Sequence, residues 1–200
     1  MKVLITCGPT WVKLDEVRII SNQSTGEMGH LLAKYFQSKN AKVTLLEGPV
    51  RDNYKAKGKV IKYKFFNELA ETLKLECLKK YDVIIHAAAV SDFRPKQMLK
   101  KKLNSGRVFN LKLVPTRKII NDIKKLSPKT ILVGFKLEDS LKTAVSMSKR
   151  LFADANCDLV VANTNQKGYE GLIIDSNRKI LARASSKSEI AQALVQILRP

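Results

Sequence analysis

Cysteine is scarce in this 200-residue chain: Cys7, Cys77 and Cys157 stand far apart, with no C-x-x-C pair. An odd, scattered set of thiols builds neither a disulfide framework nor a zinc site and suits a reducing compartment. Glycine (9) and proline (6) are too few for a collagenous or low-complexity chain. No uninterrupted apolar run approaches the roughly 20 residues of a membrane span. MKVLITCGPT lacks the extended apolar stretch of a secretory signal, so a soluble, cytoplasmic protein that binds no membrane is expected. Acidic residues are also short, 18 against 37 Lys+Arg, for a formal charge of +19. Such an excess suits polyanionic partners: nucleic acid, an acidic membrane or phosphorylated ligands. Aromatics amount to only 6%, and the lysines are dispersed rather than gathered with aromatics in one stripe, which ranks a nucleic-acid-binding module low. There is no P-loop, G-x-S-x-G elbow, H-E-x-x-H or paired Cys/His set. Any metal must then arrive with a substrate, as Mg²⁺ does on nucleoside triphosphates.

What the chain does have is 44% apolar residues arranged in alternating periods, enough for one core and one domain over 1–200. Residues 2–6 read as a buried strand running into Gly8-Pro9. Met28, Leu31, Leu32, Tyr35 and Phe36 form the apolar stripe of a helix, with a capping box at Ser24-Thr25-Gly26-Glu27 and Asn40 to close it. Strands follow over 41–50 and 60–65, a helix over 67–80 and a nearly all-apolar strand over 83–90, the signature of a central parallel strand. After a loop over 91–106 come a strand (108–114), a helix (117–126), a strand (130–135), a helix (140–155) and a strand (158–162). A hairpin around Ser176-Asn177-Arg178 and a last helix capped by Ser186 end the chain. This alternation predicts a doubly wound, Rossmann-like parallel sheet with helices on both faces and a C-terminal β-hairpin. Its ligand crevice belongs at the carboxyl ends of the strands.

Four loops there could carry chemistry. Gly8-Pro9-Thr10 with SNQSTGEMG (21–29) offers the open N–H groups of a helix start to phosphate, although capping alone also accounts for Ser24, Gly26 and Glu27. It is not a G-x-G-x-x-G dinucleotide fingerprint, which counts against a nicotinamide-dependent reductase, the alternative in this fold class. Ala87-Ala88-Ala89 lets a ligand approach the backbone, with Asp92 at the crevice edge; alanines packing under a helix, with Asp92 capping a turn, is the other reading of the same residues. His86 is assigned no role. Lys100-Lys101-Lys102 could neutralise polyphosphate or be a solvated face, and Phe135 in Gly134-Phe135-Lys136 could stack on a base or simply fill the core.

Taken in order, ITCGPT, DEVRIISNQSTGEMG, HAAAVSDFRP, the lysine loop, ILVGF and DLVVAN closely resemble the phosphopantothenoylcysteine synthetase (phosphopantothenate–cysteine ligase) family over essentially the whole chain. The resemblance implies an amide-forming step of coenzyme A synthesis. The carboxylate of 4′-phosphopantothenate is activated by a nucleoside triphosphate, with Mg²⁺ and loss of pyrophosphate, and the acyl-nucleotide is attacked by cysteine. It implies catalytic roles for Asn22, Asp92 and a loop lysine, with Lys100 the best match and Lys101 one residue away. Ala88 and Ala89 would contact the intermediate, and Arg18 would reach it from the neighbouring protomer of a homodimer. Gly8, Ser24, Gly26, Gly29 and Phe135 fall on nucleotide-binding positions, joined by Lys101 and, on the late helix, Lys149. The chain departs from the family at Val114-Pro115-Thr116-Arg117-Lys118, and on the late helix only Lys149 and Arg150 match the first of two lysines, with Ala153 or Asp154 at the second. This leaves CTP, usual in bacterial members, and ATP, usual in eukaryotic ones, both open. Because Met1 directly precedes the first strand, a stand-alone ligase without flavin is expected, its product passing to a separate decarboxylase.

Overall fold

A computed structural model describes residues 1–50, 54, 58–99, 101–104 and 106–198. The chain opens on β1 (Lys2–Cys7), makes a ribbon of β2 (Trp11–Lys13) and β3 (Ile19–Ser21), and enters α1 (Glu27–Ser38). It continues through β4 (Lys42–Glu47), β5 (Lys59–Lys62), α2 (Phe66–Cys77) and β6 (Val83–His86). A second ribbon, β7 (Phe93–Pro95) with β8 (Leu113–Pro115), precedes α3 (Ile120–Leu126), β9 (Ile131–Leu137), α4 (Leu141–Ala155) and β10 (Leu159–Thr164). β11 (Glu170–Asp175), β12 (Ile180–Ala184) and α5 (Lys187–Ile197) follow.

The central sheet runs β12-β11-β10-β9-β6-β1-β4-β5, parallel from β10 to β5, with β11 and β12 added as an antiparallel hairpin. This is the doubly wound α/β fold with the expected hairpin. Successive side chains of β1 point to opposite faces. Val3, Ile5 and Cys7 pack with Leu32 and Phe36 of α1 and Leu194 of α5. Leu4 packs with Leu69 and Leu73 of α2 and Ile123 of α3. The chain winds outward from β1 through β4 and β5 on one side, and from β6 through β9 and β10 on the other. The reversal between β1 and β6 opens a crevice at their carboxyl ends. Among the described residues no helix is long and apolar enough to cross a membrane.

Three local readings are corrected. First, the expected strand over 108–114 pairs only as β8, with β7, and Val108 is 96% exposed. β6 and β9 pair directly, Val83 opposite Ile131, so the main sheet has no slot for it. Second, the strand over 83–90 leaves the sheet after His86, because the alanines turn toward the loop after β1. Third, the capping box is absent: Gly26 is the N-cap, at φ +75, without a side chain to cap the helix. Ser24 Oγ instead accepts the Gly26 N–H (3.4 Å), and Glu27 pairs with Lys187 of α5 at 2.5 Å. The β2–β3 ribbon carries no signal in the sequence reading. Asn40 closes α1 as expected, at φ +60, its N–H donating to the Gln37 carbonyl (3.0 Å).

Candidate active site

The loops after β1 and β6 are laced together backbone to backbone. Ala87 N–H donates to Thr6 O (3.1 Å), Ala89 N–H to Gly8 O (2.9 Å) and Thr10 N–H to Ala89 O (3.3 Å). Buried Ser91 closes the seam, its N–H donating to Thr10 Oγ1 (2.9 Å) and its hydroxyl to Thr10 O (3.0 Å). Small side chains at 87–89 leave this seam as the bare floor of a cleft of about 770 Å³.

The start of α1 forms one wall. A Cβ on Gly29 would stand 2.2 Å from Cys7 Cβ, so only glycine lets the first turn press onto β1. Gly26, left-handed, rests against Val50 and the backbone of Gly8; its own Cβ would meet Val50 Cγ1 at 2.6 Å. The long spacing that spoils a dinucleotide fingerprint is thus the β2–β3 ribbon, inserted between a strand end and a glycine-led helix that still meet. The N–H groups of Gly26 and Glu27 donate to Ser24 Oγ (3.4 Å) and Thr25 Oγ1 (3.3 Å), and with no side chain on the N-cap those of Met28 and Gly29 stand open beside the cleft at the positive end of the helix dipole.

The cleft brings together Asn22, Ser24, Gly26, Gly29, Ala88, Ala89, Asp92 and Phe135. Asn22 Nδ2 donates to the carbonyls of Ala89 (3.1 Å) and Val90 (3.3 Å), fixing its amide over the floor. Asp92 is held by Lys118 Nζ at 2.6 Å. Gly8 lies behind the wall. Arg18, Lys101 and Lys149 do not line the cleft: Arg18 is in the β2–β3 turn, Lys101 is exposed beyond β7, and on α4 it is Arg150 that lines it. Lys100 lies outside the described residues. Among the described residues Arg150 has no ion-pair partner, whereas Lys118, Lys136 and Lys187 neutralise Asp92, Glu138 and Glu27.

Two further residues escaped the sequence reading. Asn163 Oδ1, on β10, and the Tyr169 hydroxyl are buried at the cleft with no hydrogen-bond partner among the described residues. Native proteins rarely leave such atoms unmatched, so they are natural contacts for a ligand. Asn163, the polar end of the apolar run DLVVAN, carried the one signal that could have revealed it. His86 lies at the floor with Nδ1 3.0 Å from Thr6 Oγ1, and burial pushes its imidazole down to about 4, so it is neutral at neutral pH. At the end of β4, where a dinucleotide fold offers a ribose-binding acid, Glu47 is buried with His30 Nε2 at 2.9 Å. That acid is engaged inside the protein, a second argument against a nicotinamide cofactor. Among the described residues no three His, Cys, Asp or Glu converge to cage a metal. The arrangement suits positioning and charge neutralisation around a phosphorylated ligand.

A profile of the DNA/pantothenate metabolism flavoprotein C-terminal domain matches residues 1–199. The chain is 39% identical over 166 residues to the coenzyme A biosynthesis bifunctional protein CoaBC of Thermococcus kodakarensis, covering 82% of this chain and 41% of that protein. With CoaBC of Borreliella burgdorferi identity is 34% over 205 residues, 98% of this chain and 52% of that one. The chain thus spans about half the length of these relatives. The crystal structure of the C-terminal domain of CoaBC superposes with a TM-score of 0.79 at 25% identity, covering 98% and 93% of the two chains. The DNA/pantothenate metabolism flavoprotein of Streptococcus pneumoniae superposes at 0.85, with 24% identity and coverage of 99% and 98%, a likeness of fold. The chain belongs to the DNA/pantothenate metabolism flavoprotein C-terminal domain family, the phosphopantothenoylcysteine synthetase family that its motifs resemble.

Proposed function

We propose that this chain is a phosphopantothenate–cysteine ligase of coenzyme A synthesis, working through an acyl-nucleotide made from CTP or ATP. The observation that carries the reading is the cleft at the β1–β6 switch point, where an uncapped glycine-led helix, a bare alanine floor and Asn22 converge. A carboxylate does not react with an amine unaided. Its oxygen therefore attacks the α-phosphorus of the Mg²⁺-bound triphosphate, pyrophosphate leaves, and the amine of cysteine then displaces the nucleoside monophosphate to form the amide, losing a proton.

The first turn of α1 with Ser24, and Arg150 across the cleft, would hold phosphate oxygens. Phe135 would lie against the base, and Asn163 Oδ1 would accept a hydrogen bond from the base or ribose. Asn22 would orient the acyl group, with Ala88 and Ala89 leaving room for it. Asp92 and Lys118 would exchange their mutual pairing for contacts with the Mg²⁺-nucleotide. A loop lysine, Lys100 or Lys101, would neutralise charge as pyrophosphate departs.

A homodimer completes the reading. Val17, Ile19 and Ile20 on the first ribbon and Phe93, Val108 and Phe109 around the second are exposed apolar side chains. A second copy covering them would bring its Arg18 toward this cleft. The product would pass to a phosphopantothenoylcysteine decarboxylase. Incubation with phosphopantothenate, cysteine, Mg²⁺ and either CTP or ATP should release pyrophosphate; silence with both nucleotides would refute the assignment.

A further inference from the structure

Asp15 belongs to the DEVRIIS run but has no part in the mechanism above. Its side chain is fully buried, a costly place for a charge unless every oxygen is used. Oδ1 accepts the N–H groups of Val17 (2.8 Å) and Arg18 (2.7 Å), which shapes the turn between β2 and β3. Oδ2 accepts from the Arg18 guanidinium (2.5 Å) and from the Leu103 N–H (3.1 Å), 88 residues away in sequence. Arg18 itself donates to the Leu103 carbonyl at 3.1 Å, and Leu99 N–H donates to Leu14 O at 3.2 Å. These ties bracket the segment that holds Lys101 and Lys102.

We propose that Asp15 is a positioning residue, its carboxylate setting Arg18 and the lysine segment as one unit through the shared contact with Leu103. This rests on the ligase reading, in which Arg18 and a lysine of that segment both serve the reaction. A turn alone needs only Oδ1, which an asparagine also supplies; the charge is required by the second oxygen, where the arginine and the distant segment meet. Consistent with that division, the Leu103 N–H is the foremost cause holding the Asp15 carboxyl well below the usual carboxylate range, followed by the Val17 and Arg18 contacts.

The test exploits this division of labour. Asp15→Asn keeps an oxygen for the turn but sets an amide N–H₂ against the guanidinium and the Leu103 N–H, so both contacts of the second oxygen are lost while the turn is kept. In the full chain, pyrophosphate release at saturating substrates should fall about 10- to 100-fold, the loss expected of misplaced catalytic groups. The KM for the nucleotide should stay near wild type, and hydrogen exchange at residues 101–104 should quicken. Leu103→Pro, which removes the same donor while leaving the Asp15 turn intact, should give the same loss and serves if Asp15→Asn does not fold. A folded variant with wild-type turnover, or with unchanged exchange at 101–104, overturns the proposal. A wild type that releases no pyrophosphate overturns the ligase reading and this one with it, whereas an active wild type beside an equally fast variant overturns this one alone.

Discussion

Gly29→Ala probes the joint on which the cleft depends. The added Cβ would stand 2.2 Å from Cys7 Cβ, whereas carbon atoms in contact settle near ~3.5–4 Å. Cys7 is fixed in β1 and fully buried, so the first turn of α1 has to yield, by roughly 1.5 Å on that contact distance. Overpacking of this kind costs about 3 kcal/mol, and replacing a helical glycine by alanine returns about 1 kcal/mol. A net loss of about 2 kcal/mol lowers Tm by about 4–8 °C in a chain of this size. The same displacement moves the open N–H groups of Met28 and Gly29, so the Tm increase given by saturating nucleotide should shrink. Gly58→Ala is the control: its φ of +95 strains an alanine, yet it lies beside Gln37 and Val43, away from the cleft. It should destabilise while leaving the nucleotide effect intact. A Gly29→Ala protein with wild-type Tm and an undiminished nucleotide effect would refute the view that close docking of α1 on β1 builds the phosphate wall.

Other perturbations test individual residues. His86 has an imidazole at about 4 in the fold against 6.5 when unperturbed. As pH falls from 6.5 to 4 the unfolded chain takes up the proton first, so native stability falls across that window by about 3 kcal/mol. Urea titrations at pH 7 and pH 4 should show this loss, and His86→Gln should remove it; an identical pH dependence in the variant sinks the assignment. Asn163→Ala removes a buried, unmatched acceptor and should leave Tm unchanged or raise it, yet weaken nucleotide binding by about tenfold or more. Calorimetry with CTP and ATP checks this, and unchanged affinity for both contradicts it. Phe135→Ala should weaken nucleotide binding by about 1–3 kcal/mol if the ring stacks on the base. Equal binding of nucleotide and bare triphosphate by the wild type would show that no such stacking exists.

The sheet was legible because its strands announce themselves locally: VLIT and VIIH are short β-branched runs, and the stripe from Met28 to Phe36 has only one helical reading. The small ribbons were not, since three-residue strands such as Trp11–Lys13 are defined by partners that only the fold supplies. Val108 to Val114 shows the converse, a strand-like run left outside the main sheet because β6 and β9 already occupy each other's edges. At the site, motif residues on strand ends could be read directly, because a polar or small residue closing an apolar run marks the crevice. Gly26 misled the reading of the helix start: a capping-box pattern holds only when the N-cap residue carries a side chain, and here that residue is glycine. Asp15 and Tyr169 gave no signal, because what distinguishes them is burial and the distant segments they meet, neither of which spacing encodes.

The central claim, that the cleft activates a carboxylate by joining it to a nucleotide, is tested most directly by following oxygen. Phosphopantothenate carrying ¹⁸O in its carboxylate, incubated with cysteine, Mg²⁺ and CTP or ATP, should deliver one label to the nucleoside monophosphate while phosphopantothenoylcysteine forms. Label appearing in inorganic phosphate, or product forming with none in the monophosphate, would contradict the acyl-nucleotide mechanism.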